Sequence, residues 1–288
     1  MIGVMIRTLA VAGLLVLGGS VAASPSVSAD EPTGPPQSTF GAALAYSLVH
    51  PGVVPAGTND FGCVPVPEHP EPVVLVHGFL ENSYANWAGL APALKTEGYC
   101  VFALDYGAPP AEPFKAREPI PDAAGELAAF VDAVLAATGA ERVSVVGHSK
   151  GGAVPRWYVR FLGGADKTSR IVGLAPANYP SLGPPSVAQD AVLAELNAGS
   201  DTVEGVSYTV VATRYDQVII PYTASFLTGP GARNILLQDV CPANTADHVS
   251  IPYDPVAEQL VLAALDPSAA GRVLTAAATR PAGAAFPR

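Results

Sequence analysis

A six-residue segment, Gly-His-Ser-Lys-Gly-Gly at positions 147–152, limits what this chain can fold into more than any other feature. It follows a β-branched run, Val143–Val146, and precedes a helix-like stretch, Ala153–Leu162. A serine between two glycines at such a junction is typical of a strained strand-to-helix turn that exposes a nucleophilic hydroxyl. Gly147 and Gly151 lack a Cβ, so neighbouring backbone can pass close to the turn. The N–H groups of the following helix would face any negative charge formed there.

Apolar runs separated by Gly, Pro and charged residues predict six strands, with amphipathic helices between them. The predicted strands are Pro72–Val76, Tyr99–Leu104, Val143–Val146, Ile171–Leu174, Tyr208–Ala212 and Asn234–Leu237. Continuous apolar strands that alternate with helices indicate a mostly parallel central sheet with helices on both faces. Combined with the serine turn, this pattern predicts the α/β-hydrolase fold with a short cap insertion.

Residues 1–29 have the features of a signal peptide. Arg7 is the only charged side chain before Asp30, and an apolar core runs from Leu9 to Ala23, followed by small residues. The core is shorter than the roughly 20 residues that a membrane-spanning helix needs. We therefore expect cleavage and a secreted, extracellular protein.

The remaining chain divides into four predicted parts. Residues 30–53, rich in Pro, Gly and Ser, predict a flexible, irregular lead-in, and residues 54–267 the hydrolase domain. Residues 268–288 are rich in Ala and Pro and predict a disordered tail. Residues 176–205 interrupt the alternation of strands and helices, which favours a cap over an acyl pocket or an ordinary packed insertion. Within this segment a capping box and a short apolar-faced helix are indicated by Ser186, Gln189, Val187, Leu193 and Leu196.

The charge balance excludes some partners. Without Arg7 the chain carries 14 basic and 25 acidic side chains, a net charge of −11. Such a surface repels nucleic acid and anionic lipid headgroups, so we expect a neutral ester or lipid substrate and no nucleic-acid partner. The composition leaves room for transient contact with a lipid interface, and we expect a monomer.

Three cysteines, Cys63, Cys100 and Cys241, leave one thiol over if a disulfide forms. Cys63 precedes the first predicted core strand and Cys100 lies in the next, so we expect these two to pair in an exported protein. Cys241 would then be free and buried. The alternative is three reduced thiols.

An activated serine needs a base and a carboxylate that orients it, which follow the serine in the chain order acid, then His. His248 is the only histidine after Ser149, and it lies in a loop after the last predicted strand. Asp216 follows the strand after the insertion and is our choice of acid. The other candidates are Asp201, Asp239 and Asp247, among which Asp239 is the strongest.

An oxyanion hole requires two backbone N–H groups. One would come from Lys150, directly after the nucleophile, and the other from Phe79 in the loop after the first core strand. We expect His77 to have a structural role in that loop, and we assign no proton transfer to His148. The chemistry requires no cofactor and no metal.

The chain resembles secreted actinobacterial lipases and esterases of the bacterial lipase class 2 type, over about residues 40–267. The resembling segments are Pro72–Leu80, Gly98–Gly107, Val146–Ala165, Tyr208–Leu227 and Gln238–Pro242 together with His248. The resemblance implies Ser149 as nucleophile, Asp216 as acid, His248 as base, and Phe79 and Lys150 as oxyanion donors. One departure is that Ala175–Asn178 has no cysteine, whereas relatives often have one there that pairs near the position of Cys241.

We therefore expect a secreted serine hydrolase that cleaves carboxylic esters of lipids, as a triacylglycerol lipase does, through an acyl-enzyme on Ser149. A short-chain carboxylesterase or polyester hydrolase is the alternative and would differ in pocket shape. A non-catalytic binding protein with a hydrolase fold is the alternative from another class, and a complete triad in the correct order argues against it.

Overall fold

A six-stranded parallel sheet organises the computed structural model, which describes residues 32–109, 111–182 and 190–266. In chain order the strands are β1 (Thr33–Gly34), β2 (Val54–Pro55), β3 (Val73–Val76), β4 (Val101–Leu104), β5 (Val143–His148), β6 (Thr168–Leu174), β7 (Ser207–Ala212) and β8 (Ala232–Leu236). Strands β1 and β2 form a separate parallel pair, and the other six lie in the order β4-β3-β5-β6-β7-β8. Each of the six predicted strands contributes to this sheet, so the predicted parallel sheet is confirmed.

Helices cover both faces of the sheet. They are α1 (Phe40–Val49), α2 (Ser83–Trp87), α3 (Leu90–Thr96), α4 (Ile120–Thr138), α5 (Lys150–Phe161), α6 (Asp190–Leu196), α7 (Leu237–Val240) and α8 (Pro255–Leu265). Alternate residues of β3 separate into two cores, because successive side chains of a strand point to opposite faces. Val74 and Val76 pack with residues of α4 and α5, whereas Val73 and Leu75 pack with residues of α3 and α8. Burial on both faces explains the continuous apolar sequence of the strand.

The last strand begins earlier than predicted. It runs from Ala232 to Leu236, and Leu237 already begins α7. Strand β8 is at the edge of the sheet, and its first residues are partly or fully exposed. An edge strand of this kind lacks the apolar run that identifies a buried strand.

The prediction of a flexible, irregular lead-in over residues 30–53 is wrong for its described part. Helix α1 begins after Thr39, whose hydroxyl accepts a hydrogen bond from the N–H of Ala42 at 3.3 Å. The helix is attached to the domain, since Asn82 Nδ2 donates to Ser47 Oγ at 3.1 Å. Only Ala43 and Ser47 of the ten α1 residues are buried, so the segment shows no clear apolar stripe. The Pro, Gly and Ser residues on both sides of the helix favour turns, so the sequence pattern does not predict a helix here.

The described part of residues 176–205 is packed against the domain. In α6, Leu193 and Leu196 are buried in the same core as α4 and α5. The apolar face of α6 is therefore used in the core and is not available to an acyl chain, which favours the packed-insertion alternative for this helix. The predicted capping box of Ser186 and Gln189, with Val187, lies outside the described residues.

The cysteines pair as predicted. Cys63 and Cys100 form a disulfide, and Cys241 is free. Cys241 is half-buried against the α8 side of the core and is not fully buried as predicted. The disulfide fastens the segment after β2 to the start of β4.

The signal-peptide prediction concerns residues 1–29, and the prediction of a disordered tail concerns residues 268–288. Both ranges lie outside the described residues. Within the described ranges, no helix has the length and apolar character needed to cross a membrane.

Candidate active site

Ser149 lies on a sharp turn between β5 and α5. Its backbone angles are φ 53° and ψ −123°, a region that residues other than glycine rarely occupy. A Cβ on Gly147 would lie 2.0 Å from the carbonyl oxygen of Gly151, and a Cβ on Gly151 would lie 2.2 Å from that of Val76. Because both obstacles are backbone atoms, larger residues could enter only if the backbone of α5 or β3 moved. The two glycines therefore permit the turn, as expected from their spacing.

The turn is fixed to the neighbouring strands. The N–H of Ser149 donates to the carbonyl of Leu174 at the end of β6, at 3.0 Å. Its carbonyl accepts from the N–H groups of Gly152 and Ala177, each at 3.0 Å. The serine is thus presented at the carboxyl edge of the sheet, where ligands of open α/β sheets bind.

Asp216 and His248 are hydrogen-bonded partners at the same edge. The distance from Asp216 Oδ2 to His248 Nδ1 is 2.9 Å, and the Asp216 side chain is fully buried. The other carboxylate oxygen, Oδ1, accepts from the N–H groups of Val218 at 2.8 Å and Ile219 at 2.7 Å. These bonds fix the carboxylate so that it orients the imidazole ring through Nδ1.

The other aspartates considered as the acid have different partners. Asp239 is largely exposed and lies 4.0 Å from Arg214. Asp201 accepts hydrogen bonds from Tyr179, Thr228 and Gly229, and Asp247 bonds to Ser250. Asp216 is therefore the member of this set that the structure brings to His248.

The two predicted oxyanion donors occupy the loop after β3 and the start of α5. Within the described residues, neither the N–H of Phe79 nor that of Lys150 has a hydrogen-bond acceptor. Lys150 is the first residue of α5, where backbone N–H groups lack partners inside the helix. Both N–H groups are therefore unpaired within the described residues.

The Lys150 side chain is buried beneath a neighbouring loop. Its Nζ donates to the carbonyl of Ala116 at 2.6 Å and to that of Glu118, and lies 3.9 Å from the Glu118 carboxylate. Burial lowers the pKa of Lys150, against the raising effect of Glu118. Burial also raises the pKa of Glu118. These contacts attach the side chain to the loop at residues 115–118, which it stabilises.

His77 is also structural in its contacts. The ring is fully buried and stacks on Tyr106 with 4.5 Å between centroids. Tyr106 donates its hydroxyl to the carbonyl of His77 at 2.7 Å. Burial lowers the pKa of His77, against the raising effect of Asp105. A neutral, enclosed ring of this kind supports the start of the loop at residues 77–80, which carries the proposed oxyanion donor Phe79.

The sequence analysis missed a buried ion pair beside Ser149. His148 Nδ1 lies 3.1 Å from Glu81 Oε2, and His148 Nε2 lies 2.9 Å from the carbonyl oxygen of His248. Burial acts to lower the pKa of His148, but the charge and hydrogen bond of Glu81 outweigh it, and the pKa is raised. Burial acts to raise the pKa of Glu81, but His148 and the N–H of Gly78 outweigh it, and the pKa is lowered. The available signal was a lone carboxylate, Glu81, directly after the oxyanion loop.

Gln238 lies in a segment that resembles the family, but the sequence pattern gives it no role. Its amide connects the loops of the acid and the base, since it donates to Thr213 Oγ1 at 3.0 Å and to the carbonyl of Asn244 at 3.2 Å. Its carbonyl oxygen accepts from the N–H of Arg214 at 3.0 Å. Among the described residues, no group of three or more His, Cys, Asp or Glu side chains is arranged to hold a metal ion.

Comparison with known proteins gives one family match. A family model described as alpha/beta hydrolase fold matches residues 71–219. Two curated triacylglycerol lipases, from Pseudarthrobacter phenanthrenivorans and Burkholderia plantarii, are each 37% identical over 92 residues. The match covers 30% of this chain and only 27% and 24% of those two proteins, about a quarter of their length.

Solved structures share the fold at low sequence identity. Aspergillus fumigatus lipase B superposes with a TM-score of 0.65 at 19% identity, over 79% of this chain and 59% of that one. The mature Bacillus licheniformis lipase BlEst2 gives 0.52 at 16% identity, over 73% and 94%. The Bacillus subtilis carboxylesterase CesB gives 0.50 at 17% identity, over 79% and 97%. At these identities the likeness concerns the fold alone.

Proposed function

We propose that this chain, which belongs to the alpha/beta hydrolase fold family, is a secreted serine hydrolase that cleaves carboxylic esters of lipids. The observation that carries the proposal is the 2.9 Å hydrogen bond between Asp216 and His248, at the sheet edge where Ser149 occupies its strained turn. This combination supplies a nucleophile, a base and an orienting carboxylate.

In the proposed mechanism Ser149 Oγ attacks the ester carbonyl, and Nε2 of His248 takes the hydroxyl proton. The N–H groups of Phe79 and Lys150 stabilise the oxygen anion of the tetrahedral intermediate. His248 then donates its proton to the leaving alcohol, which leaves an acyl-enzyme. Water, activated by the same histidine, releases the acid and restores the serine.

Exposed apolar side chains next to the proposed catalytic residues support a lipid ester as substrate. Leu80, Tyr215 and Ile220 have 42%, 49% and 40% of their surface exposed. Leu80 follows Phe79, Tyr215 precedes Asp216, and Ile220 is adjacent to Ile219, whose N–H binds the Asp216 carboxylate. These side chains offer an uncharged surface to an acyl chain, a role for which α6 is not available.

The test is a series of p-nitrophenyl esters at fixed detergent: acetate, butyrate, octanoate and palmitate, with a succinate monoester as the anionic member. We expect kcat/KM to rise from acetate to octanoate, by up to about fourfold for each fully buried methylene. We expect the succinate monoester to be the poorest substrate, because the chain has a formal net charge of −10.

Other outcomes of the series identify the alternatives. A steady decline of kcat/KM from acetate onward would replace the lipase proposal with a short-chain carboxylesterase or polyester hydrolase. If no ester is turned over and a fluorophosphonate does not label Ser149, the chain is a non-catalytic binding protein. The Ser149→Ala variant is the matched control for both turnover and labelling.

A further inference from the structure

We propose that Glu81 and His148 are a buried pair of positioning residues. The pair fixes three segments relative to one another during ester hydrolysis: the oxyanion loop (residues 77–80), the nucleophile turn (residues 147–151) and the base loop, which carries His248. Neither residue is assigned contact with substrate or with the reacting atoms. The proposal rests on the proposed function, since positioning has meaning only if Ser149 and His248 are catalytic.

The pair connects three separate segments of the chain. The N–H of Gly78, in the oxyanion loop, donates to Glu81 Oε2 at 2.9 Å. The same oxygen lies 3.1 Å from Nδ1 of His148, the residue before the nucleophile. The opposite ring nitrogen of His148 lies 2.9 Å from the carbonyl oxygen of His248. One unbroken series of hydrogen bonds therefore runs from the oxyanion loop through the nucleophile turn to the base loop.

The partners of His148 fix where its protons are. A carbonyl oxygen only accepts, so Nε2 of His148 carries a proton; a carboxylate also only accepts, so Nδ1 carries one while it binds Glu81. Asn86 Nδ2 lies 3.1 Å from the same Nδ1 and can donate to it after the proton has left. The bonds to Glu81 and to the His248 carbonyl thus exist together only for the imidazolium form, and loss of the proton from Nδ1 would transfer Nδ1 to Asn86 and release the carboxylate.

The charged and titratable groups around His148 favour the imidazolium. Glu81 contacts it directly, Asp216 also acts to raise its pKa, and the ring of His248 lies 4.9 Å away between centroids. His77 also acts to lower the pKa of Glu81. Because the pKa of His148 is raised and that of Glu81 is lowered, the pair is complete at intermediate pH. It is lost as pH rises through the folded-state pKa of His148.

Stability alone gives little reason for an ion pair at this place. Both residues are buried, and removing two charges from water costs about as much as their attraction returns. Well-packed apolar residues would serve the core as well or better. The position of the pair, between the proposed oxyanion donor and the proposed base, is explained by a requirement for exact geometry, because a displacement of about 1 Å can cost 100-fold in rate.

The test is Glu81→Gln, which keeps the shape of the side chain and removes its charge. We expect kcat to fall about tenfold or more while KM changes less than twofold, because substrate binding does not involve Glu81. We also expect the alkaline limb of the pH profile of kcat to move to lower pH, because His148 loses the charge that retains its proton. Near-UV circular dichroism would establish that the variant is folded.

Glu71→Gln is the matched control. Glu71 also bonds to an opposite charge and to hydroxyls, at 2.7 Å to Arg170 and 2.8 Å to Ser144, but it precedes β3 at the opposite edge of the sheet. We expect this variant to keep both kcat and the alkaline limb. A kinetic effect of Glu81→Gln alone therefore separates positioning from a general loss of an ion-paired carboxylate.

His148→Gln and the double variant complete the test, also if Glu81→Gln does not fold. We expect the double variant to be no slower than the slower single variant, because each substitution breaks the same pair. Three results would each overturn the proposal. They are a wild-type kcat in either single variant, an alkaline limb that does not move in folded Glu81→Gln, and losses that add up in the double variant. Failure of the proposed function is distinct: the wild-type chain would then hydrolyse no ester and take up no fluorophosphonate.

Discussion

At the scale of single residues, the proposed nucleophile and the proposed acid are held mainly by backbone groups. Ser149 forms backbone hydrogen bonds to Leu174, Gly152 and Ala177, and Asp216 is held by two N–H groups of its own loop. Such contacts depend little on neighbouring side chains. The positions of Ser149 and Asp216 are consequently set by the strands and turns that carry them. We therefore expect single substitutions of the proposed catalytic groups to change activity without unfolding the protein.

The acid assignment is tested by Asp216→Asn, with Asp239→Asn as the matched control. The asparagine cannot stabilise the imidazolium of His248 and favours the wrong tautomer, so we expect kcat to fall by about 10⁴. Asp239 is largely exposed, so its variant is expected to keep the wild-type kcat. A larger loss for Asp239→Asn than for Asp216→Asn would contradict the assignment.

At the scale of elements, the sequence predicted what depends on local pattern. The buried strands carry continuous apolar runs, and the turn at Ser149 carries its glycines, so both could be identified without a structure. Helix α1 could not, because only two of its ten residues are buried, and its contact with the α2 cap is made by residues distant in the sequence. The Glu81–His148 pair was missed for a similar reason: the residues are 67 positions apart, and no pattern predicts which distant charges meet.

The same contacts make the lead-in part of the folded domain. Tyr84 of α2 donates its hydroxyl to the carbonyl of Pro35 at 2.6 Å, and its ring lies 5.1 Å from that of Tyr46 in α1. Asn82, which caps α2, bonds to Ser47. Because α2 follows the oxyanion loop directly, α1 supports that loop through its contacts with α2.

A chain that begins at residue 54 is therefore expected to be less stable and less active than one that begins at residue 32. Uncovering Tyr84 and Ala88 costs about 3 kcal/mol, which corresponds to a decrease in Tm of roughly 5–10 °C. Thermal unfolding and kcat/KM of the two shortened chains measure the effect. Equal Tm and kcat/KM for both would mean that α1 contributes nothing to the domain.

At the scale of the whole molecule, the features agree with an exported protein. A disulfide joins Cys63 to Cys100 across 37 residues, and disulfides persist mainly in oxidising compartments. The predicted signal peptide precedes the first described strand. We expect the protein recovered from the culture medium to begin at Ser24 or Asp30.

Intact-mass analysis and peptide mapping of that material measure both features. The Cys63–Cys100 bond should be present, and Cys241 should be alkylated readily after unfolding. Reduction should lower the free energy of unfolding by about 4 kcal/mol, the chain-entropy value for a loop of this length. Material that retains residues 1–23 or has three alkylatable thiols in its native form would contradict export by this route.

The two residues beside Ser149 affect how this sequence can vary. The Gly-x-Ser-x-Gly pattern leaves these positions open, but here both are buried and each faces a carboxylate from a different loop, Glu81 for His148 and Glu118 for Lys150. Replacing His148 or Lys150 alone would leave Glu81 or Glu118 without the cation that it faces. In homologues or laboratory libraries, positions 148 and 81, and positions 150 and 118, are therefore expected to change together.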